Sequence, residues 1–128
     1  MREIVLIAVS GAMGSVCRYL VSGWSYSLLG DRFAYGTLVV NIIGCFLVGF
    51  IMEVGIISEA FSRATRIAIT IGFLGAFTTF STLGYETIRY IEDGAMWLAF
   101  ANVASHIVLG GLAVWVGLIA GKSMLGGI

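Results

Sequence analysis

The chain has 128 residues, no net charge and a mean hydropathy of +1.04. Charged residues make up 11% of it, whereas a soluble domain carries roughly 25%. They leave five long uncharged runs, at 4–17, 19–30, 33–52, 67–85 and 94–121. This composition excludes a soluble enzyme and a disulfide scaffold, and the lack of a basic excess excludes a nucleic-acid binder.

The uncharged runs are long enough to cross a membrane. A bilayer core about 30 Å thick needs about 20 helical residues, and four crossings fit if Arg18 lies inside the first. The runs are continuously apolar rather than alternating, which disfavours a β-barrel. We therefore predict an all-α integral membrane protein, a single four-helix membrane domain over residues 1–128 in contact with membrane lipid. The expected spans are about 4–23, 35–57, 65–91 and 95–121.

The basic residues at the two ends of the predicted bundle are nearly balanced. One side carries Arg2, Arg63, Arg66 and Lys122, and the other carries Arg32 and Arg89, with Arg18 as a third if it counts. Because the Lys and Arg excess of short loops sets orientation, this near balance permits insertion both ways round and thus an antiparallel homodimer. A single orientation with the larger group inside the cell stays open as the alternative.

The third span contains a segment that does not read as a plain helix, GFLGAFTTFST at 72–82. Two glycines lower helix stability by about 1 kcal/mol each, and the hydroxyl side chains offer the backbone other partners. We predict a break near 75–79 between half-helices of about 66–75 and 80–91. Unwound backbone at membrane depth persists where it is buried in protein or lines a cavity, and transporters bind ions at such breaks. The alternative is an unbroken helix whose hydroxyls bond to the preceding turn.

Polar side chains in the other spans suggest what such a cavity could bind. Thr37 and Asn41 are four residues apart and share one face of the second span. Arg18 and Glu86 are charges in or near the membrane, which makes them functional candidates unless they are interfacial or form a structural ion pair. Hydroxyls, an amide and aromatic ring edges all offer partial positive charge, so this lining favours a small, hard anion. Neither a nucleophile–base pair nor a phosphate loop accompanies them, so the chain is not predicted to be an enzyme. His106 lacks partners at ligand spacing, and a helix–helix hydrogen bond is its expected role.

Three segments resemble the Fluc (CrcB) family of fluoride channels: Arg18-Tyr19, GTLVVN at 36–41, and the 72–82 segment. The similarity in length, span number and motif order covers essentially the whole chain. It implies a fluoride-selective channel in the cytoplasmic membrane of a bacterium, through which fluoride leaves passively and fluoride toxicity is relieved. It further implies an antiparallel, dual-topology homodimer with two pores and a structural sodium ion at the dimer interface.

The resemblance also assigns roles by position. Gly75 and Thr78 match the residues whose main-chain carbonyls, from both subunits, hold sodium. Asn41 matches an asparagine that hydrogen-bonds fluoride, and Phe80 matches the first of two phenylalanines whose ring edges contact it. The remaining pathway positions correspond to Thr37, Ser81, Thr82 and Glu86, with Arg18 near a pore entrance.

The chain departs from the family pattern at one position, and two other functions stay open. Leu83 stands where the family commonly has the second phenylalanine, which indicates either a natural variant or a subunit that needs a complementary homologue. A small multidrug exporter also has four spans, but it needs an embedded carboxylate in its first span, where this chain has Arg18. An accessory subunit that packs against other membrane proteins is the third possibility. Its contact faces would be the small-residue patterns Ser10-x3-Gly14 and Ala113-x3-Gly117-x3-Gly121.

Overall fold

The computed structural model describes residues 1–57 and 61–126, and every element in these two ranges is a helix. The predicted domain also covers 58–60 and 127–128, which lie outside the described residues. Four helical stretches are long and apolar enough to cross a membrane, Arg2–Leu29, Tyr35–Gly55, Arg63–Glu92 and Met96–Met124. The predicted all-helical, four-span architecture is therefore confirmed.

The helices follow one another with short connections. They are α1 (Arg2–Leu29), α2 (Tyr35–Ile57), α3 (Arg63–Ile67), the π-helix π1 (Ala68–Leu74), α4 (Gly75–Phe77), α5 (Phe80–Glu92) and α6 (Met96–Met124). Helix α1 ends at Leu29 rather than at 23, because nothing interrupts it before Gly30, whose φ of 84° suits glycine. Helix α6 likewise continues past 121 to Met124.

The third span is broken, as the sequence predicted. Thr78 and Thr79 are extended, with φ/ψ of −85°/161° and −151°/117°, and α5 begins immediately after them. The helix before the break continues to Phe77, slightly further than expected, and passes through the wide turns of π1. Such turns occur often at functional sites. Local propensity gives no sign of them.

Helix α1 packs closely against the first half of the third span. A Cβ added at Gly14 would collide with the carbonyl oxygen of Phe73, and one added at Gly72 would collide with the Ser10 hydroxyl. The two backbones can approach each other only because both positions are glycine. The small residues Ser10 and Gly14 are thus used inside the chain, against the third span, and they fix the approach to the break from one side.

Helices α2 and α6 form the second close pair. A Cβ at Gly49 would collide with the carbonyl oxygen of Val114, and a Cβ at Gly117 with that of Phe46. The α6 pattern around Gly117 is thus used inside the chain, against α2. The run before the break packs on α1 and α5 packs on α6, so the two halves of the third span pack against different helices.

Ion pairs identify which helix ends lie together. Arg63 Nε is 3.9 Å from Glu3 Oε1, which places the start of α3 beside the start of α1. At the other end, Arg89 Nη1 lies 2.9 Å from Glu92 Oε2. Both pairs are exposed and contribute little to stability. Only the first joins two helices, and it places Arg63 at the same end of the chain's helices as Glu3, whereas Arg89 and Glu92 belong to one helix.

The protomer has little interior. Only Val40 and Asn102 are described as large, fully buried side chains. Apolar side chains cover much of the outside, as expected for contact with lipid or a second chain. On the third span the large exposed ones are Ile71, Phe80, Tyr85, Ile88 and Ile91.

Candidate ion pathway

The break is held by a two-point contact between Asn41 and Thr79. Asn41 Nδ2 donates to the Thr79 carbonyl at 3.0 Å, and the Thr79 N–H donates to Asn41 Oδ1 at 2.8 Å. Thr79 Oγ1 accepts the Thr82 N–H at 3.2 Å and so caps α5. The Ser81 hydroxyl lies 3.3 Å from the same oxygen. The extended backbone of Thr79 is therefore a satisfied, specified structure rather than a frayed helix end.

These contacts change the partners of two carbonyl groups. In an unbroken helix the Gly75 carbonyl would accept the Thr79 N–H, and the Thr78 carbonyl would accept the Thr82 N–H. Both donors are used elsewhere, by Asn41 Oδ1 and by Thr79 Oγ1. The two carbonyls thus lack their ordinary helical donors. They belong to the residues at which the family resemblance predicts sodium ligands.

The ends of the two half-helices give the break opposite partial charges on its two sides. The run before the break ends in carbonyl groups at α4, which favour a cation, whereas α5 begins with N–H groups, which favour an anion. Discontinuous membrane helices bind ions through the same groups. The break can therefore attract both kinds of ion within one short segment.

A groove of about 370 Å³ lies on one side of the break. Asn41 and Phe80 both line it, so the structure brings these two predicted pathway residues together. The Asn41 amide has two N–H donors and uses one on Thr79, which leaves the second for a ligand. The Phe80 side chain is 84% exposed in the protomer. Leu83, which stands where the family commonly has a second phenylalanine, lines the same groove, as does His106.

A second groove of about 490 Å³ lies on the other side of the break, towards α1. Its polar lining includes Arg18, Thr37 and Thr82, together with Tyr26. Arg18 Nη1 reaches the Thr78 carbonyl at 3.5 Å, a long contact. Asn41 and Phe80 therefore line one groove, Arg18, Thr37 and Thr82 line the other, and Thr79 lines both. Glu86 lines a third groove of about 190 Å³, and Ser81 lines none of the three.

Glu86 lies one helical turn beyond Thr82 and is held by two hydroxyl groups. Thr37 Oγ1 donates to Glu86 Oε1 at 2.6 Å, and the Tyr26 hydroxyl donates to the same oxygen at 3.3 Å. Among the described residues, none bonds the buried second oxygen, Oε2. The contact brings Thr37 and Glu86 together. Their role in ion passage stays a prediction.

Comparison with known proteins identifies the family. Residues 5–118 match the model of the CrcB-like protein, Camphor Resistance (CrcB) family. The chain belongs to the CrcB family. Relatives named fluoride-specific ion channel FluC include those of Geobacter sp. (strain M21) and Citrifermentans bemidjiense, each 47% identical over 97% of this chain and 100% of the relative. The Geobacter sulfurreducens relative is 46% identical with the same coverage. Together with the four spans, this membership makes the chain a multi-pass cell-membrane protein.

Three polar residues of this CrcB chain were not identified from the sequence. Thr79 joins α2 to the break, and Tyr26 joins α1 to Glu86. Asn102 is fully buried in α6, where its Nδ2 donates to Thr87 Oγ1 at 3.1 Å. Asn102 and His106 are four residues apart in the longest uncharged run, a spacing that could have marked them as one polar face.

Among the residues that the structure describes, His106 makes no hydrogen bond to another helix, contrary to the prediction. Its Nδ1 lies 2.8 Å from the Asn102 carbonyl, one turn earlier in the same helix. An imidazole on a helix can reach the i−4 carbonyl, and this local bond takes the place of one to another helix. His106 lines the same groove as Leu83, and its buried Nε2 has no hydrogen-bond partner among the described residues.

Proposed function

We propose that the chain forms a fluoride-selective channel through which fluoride leaves the cell passively and its toxicity is relieved. The proposal rests on CrcB family membership, on relatives named fluoride-specific ion channels, and on the Asn41–Thr79 contact at the break. Fluoride is small and strongly hydrated, so a pore has to replace its water with close donors and still release it. The free amide N–H of Asn41, the Phe80 ring edge and the hydroxyls of Ser81 and Thr82 supply weak, uncharged contacts of that kind. The Thr37 hydroxyl lines the second groove and donates its proton to Glu86.

Passive efflux follows from the charges involved. An inside-negative potential drives a monovalent anion outward with about 2.3 kcal/mol per 100 mV, so no coupled ion is needed. In this account Arg18 attracts the anion towards the groove that it lines, and Glu86 positions the hydroxyls of Thr37 and Tyr26. The proposed location of the channel is a bacterial cytoplasmic membrane, where this potential is inside-negative.

The working unit in this proposal is an antiparallel, dual-topology homodimer. Three observations support it: the near balance of basic residues at the two ends, the small protomer interior, and the exposure of Phe80. A ring that is 84% exposed cannot form a dehydrated ion site in one protomer. A second copy packed on this face would cover both the ring and the neighbouring groove.

We also propose a structural sodium ion at the dimer interface, held by the Gly75 and Thr78 carbonyls of both protomers. The donor chemistry fits, since sodium takes neutral oxygen ligands and unwound backbone in membrane proteins supplies them. One chain offers two such carbonyls, so a second chain is needed to complete the shell. The bound ion would supply a fixed positive charge where the dielectric is low and charge acts strongly.

Removal of sodium is expected to lower the thermal stability of the purified dimer. A ligand present at 100 times its dissociation constant stabilises the folded state by about 2.7 kcal/mol. Melting curves in sodium chloride and in N-methylglucamine chloride at equal ionic strength measure this difference. An equal melting temperature in both salts would contradict the sodium site.

Replacing Leu83 with phenylalanine is expected to preserve or raise fluoride efflux. Leu83 lines the same groove as Phe80 and Asn41, so a ring there adds a second edge contact for the anion. The comparison is initial efflux per dimer, with Leu83→Met as a control for side-chain size. A marked loss in the phenylalanine variant alone would show that the groove has repacked around leucine.

The function itself is tested by flux from liposomes that contain only this purified chain. Vesicles loaded with potassium fluoride and potassium chloride are diluted into low potassium, and valinomycin starts the efflux. We expect rapid fluoride release, read with a fluoride electrode, while chloride is retained. Dimers that reconstitute well but release no fluoride, or that release chloride equally, would contradict the proposal.

A further inference from the structure

We infer that Asn41 is a positioning residue for the cation site as well as a pathway residue: it holds the break in the conformation that keeps the Gly75 carbonyl available as an ion ligand. The inference rests on the proposed sodium site and identifies Asn41 as the side chain that keeps one of its ligands available. It follows from the two hydrogen bonds between Asn41 and Thr79.

The Thr79 N–H can bond to one of two acceptors. Its ordinary helical acceptor is the Gly75 carbonyl, four residues earlier, whereas in this structure it donates to Asn41 Oδ1 at 2.8 Å. Asn41 Nδ2 simultaneously donates to the Thr79 carbonyl at 3.0 Å. One amide side chain thus takes the donor away from Gly75 and fixes the peptide plane that follows.

Removing the amide makes the two arrangements compete. A partly buried N–H that loses its partner costs about 1–3 kcal/mol, and the Gly75 carbonyl is the acceptor that four-residue helical spacing offers. Whenever the Gly75 carbonyl accepts the Thr79 N–H, it is no longer available to the ion. The cation site is then formed for only part of the time, and the apparent affinity for the ion falls by that fraction.

A second position on α2 supports the same role. Gly44 follows Asn41 by three residues and shares its face of the helix. A Cβ at Gly44 would collide with Thr78 Cγ2, so glycine allows α2 to touch the break at the residue before Thr79. Asn41 supplies the bonds, and Gly44 allows the close approach that lets them form.

Thr37 provides a matched control. It lies one turn before Asn41 on the same face of α2, is also polar, and is also a predicted pathway residue. Its hydroxyl bonds to Glu86 rather than to the break. Thr37→Val removes that hydroxyl with little change in volume, so it should alter fluoride passage without altering the cation site.

The test uses purified dimers in detergent, without fluoride. Sodium is titrated against N-methylglucamine, and the thermal midpoint gives the sodium concentration for half-maximal stabilisation. We expect that concentration to rise about 5- to 150-fold in Asn41→Ala, the range that corresponds to about 1–3 kcal/mol. Gly44→Ala should shift it in the same direction, and Thr37→Val should leave it unchanged. An unshifted value in both Asn41→Ala and Gly44→Ala would overturn the inference.

Hydrogen exchange separates failure of the inference from failure of the proposed function. In Asn41→Ala, amide exchange should be faster in peptides that cover 78–82, and in Thr37→Val it should match the unmodified chain. Unchanged exchange in Asn41→Ala overturns the positioning role whatever sodium does. The unmodified dimer could conduct fluoride and yet be insensitive to sodium. That result would contradict both the sodium site and the claim that Asn41 keeps the Gly75 carbonyl available to it, but it would leave fluoride conduction unaffected.

Discussion

Phe80→Ile is expected to slow fluoride efflux from liposomes strongly. The ring edge carries partial positive charge, which isoleucine lacks, and Phe80 lines the groove beside Asn41. Loss of one contact of hydrogen-bond strength in a dehydrated site costs about 1–3 kcal/mol, or roughly 5- to 150-fold in rate. Initial efflux per reconstituted dimer is the quantity to measure.

Phe100 supplies the control for this substitution. Its ring is 63% exposed on α6 and lies 5.6 Å from the Trp97 ring, with which it forms an aromatic pair. It lines neither of the two grooves at the break. Phe100→Ile should conduct as the unmodified chain does. Full efflux in Phe80→Ile, from dimers of normal size, would remove Phe80 from the pathway.

Gly117→Ala is expected to destabilise the fold by about 1–3 kcal/mol, the usual cost of overpacking a close contact. The added Cβ would collide with the Phe46 carbonyl oxygen in α2. Neither backbone can yield without disturbing the α2–α6 pair, and α2 carries Asn41. A lower melting temperature and a smaller yield of monodisperse protein are the expected observations.

Gly111→Ala is the matched variant in the same helix. Nothing lies within 4 Å of a Cβ added there, and alanine favours a helix over glycine by about 1 kcal/mol. This variant should melt at or above the temperature of the unmodified chain. Equal destabilisation at both positions would mean that the α2–α6 contact does not limit stability, or that Gly111 packs against a second copy.

The four spans and the break could be predicted because they depend on local composition. Uncharged runs of membrane length determine the spans, and the glycine and threonine residues between 72 and 82 weaken one helix at its middle. The wide turns of π1 could not be predicted, because π1 packs against α1 through Gly72 and Gly14. Such contacts depend on how two helices meet, which no single segment encodes.

Only part of the site could be predicted, because the contacts within it also depend on how helices meet. Motif positions identified Asn41, Phe80 and Thr37, but not what each one contacts. The bond from Asn41 to Thr79 depends on the register between α2 and the third span, which Gly44 allows. Likewise, the division of the pathway residues between two grooves appears only once α1 and α6 are placed on opposite sides of the break.

The structure gives a physical reason why one short segment could serve a cation and an anion. Thr79 turns the chain so that carbonyl groups end one half-helix and N–H groups begin the next. Asn41 fixes that turn, and its remaining N–H points to a role in the anion path. A cation held on the carbonyl side would strengthen anion binding on the other side, because charge acts strongly where the dielectric is low.

The central claim is a passive, selective fluoride conductance formed by this chain alone. Its most direct test is the reversal potential across a planar bilayer that contains only the purified protein, with a tenfold fluoride gradient and no proton gradient. We expect a current that reverses near the fluoride equilibrium potential, about 59 mV for a monovalent ion. A reversal potential near zero, no current, or a current that requires a proton gradient would contradict it. The last result would point instead to a proton-coupled exporter.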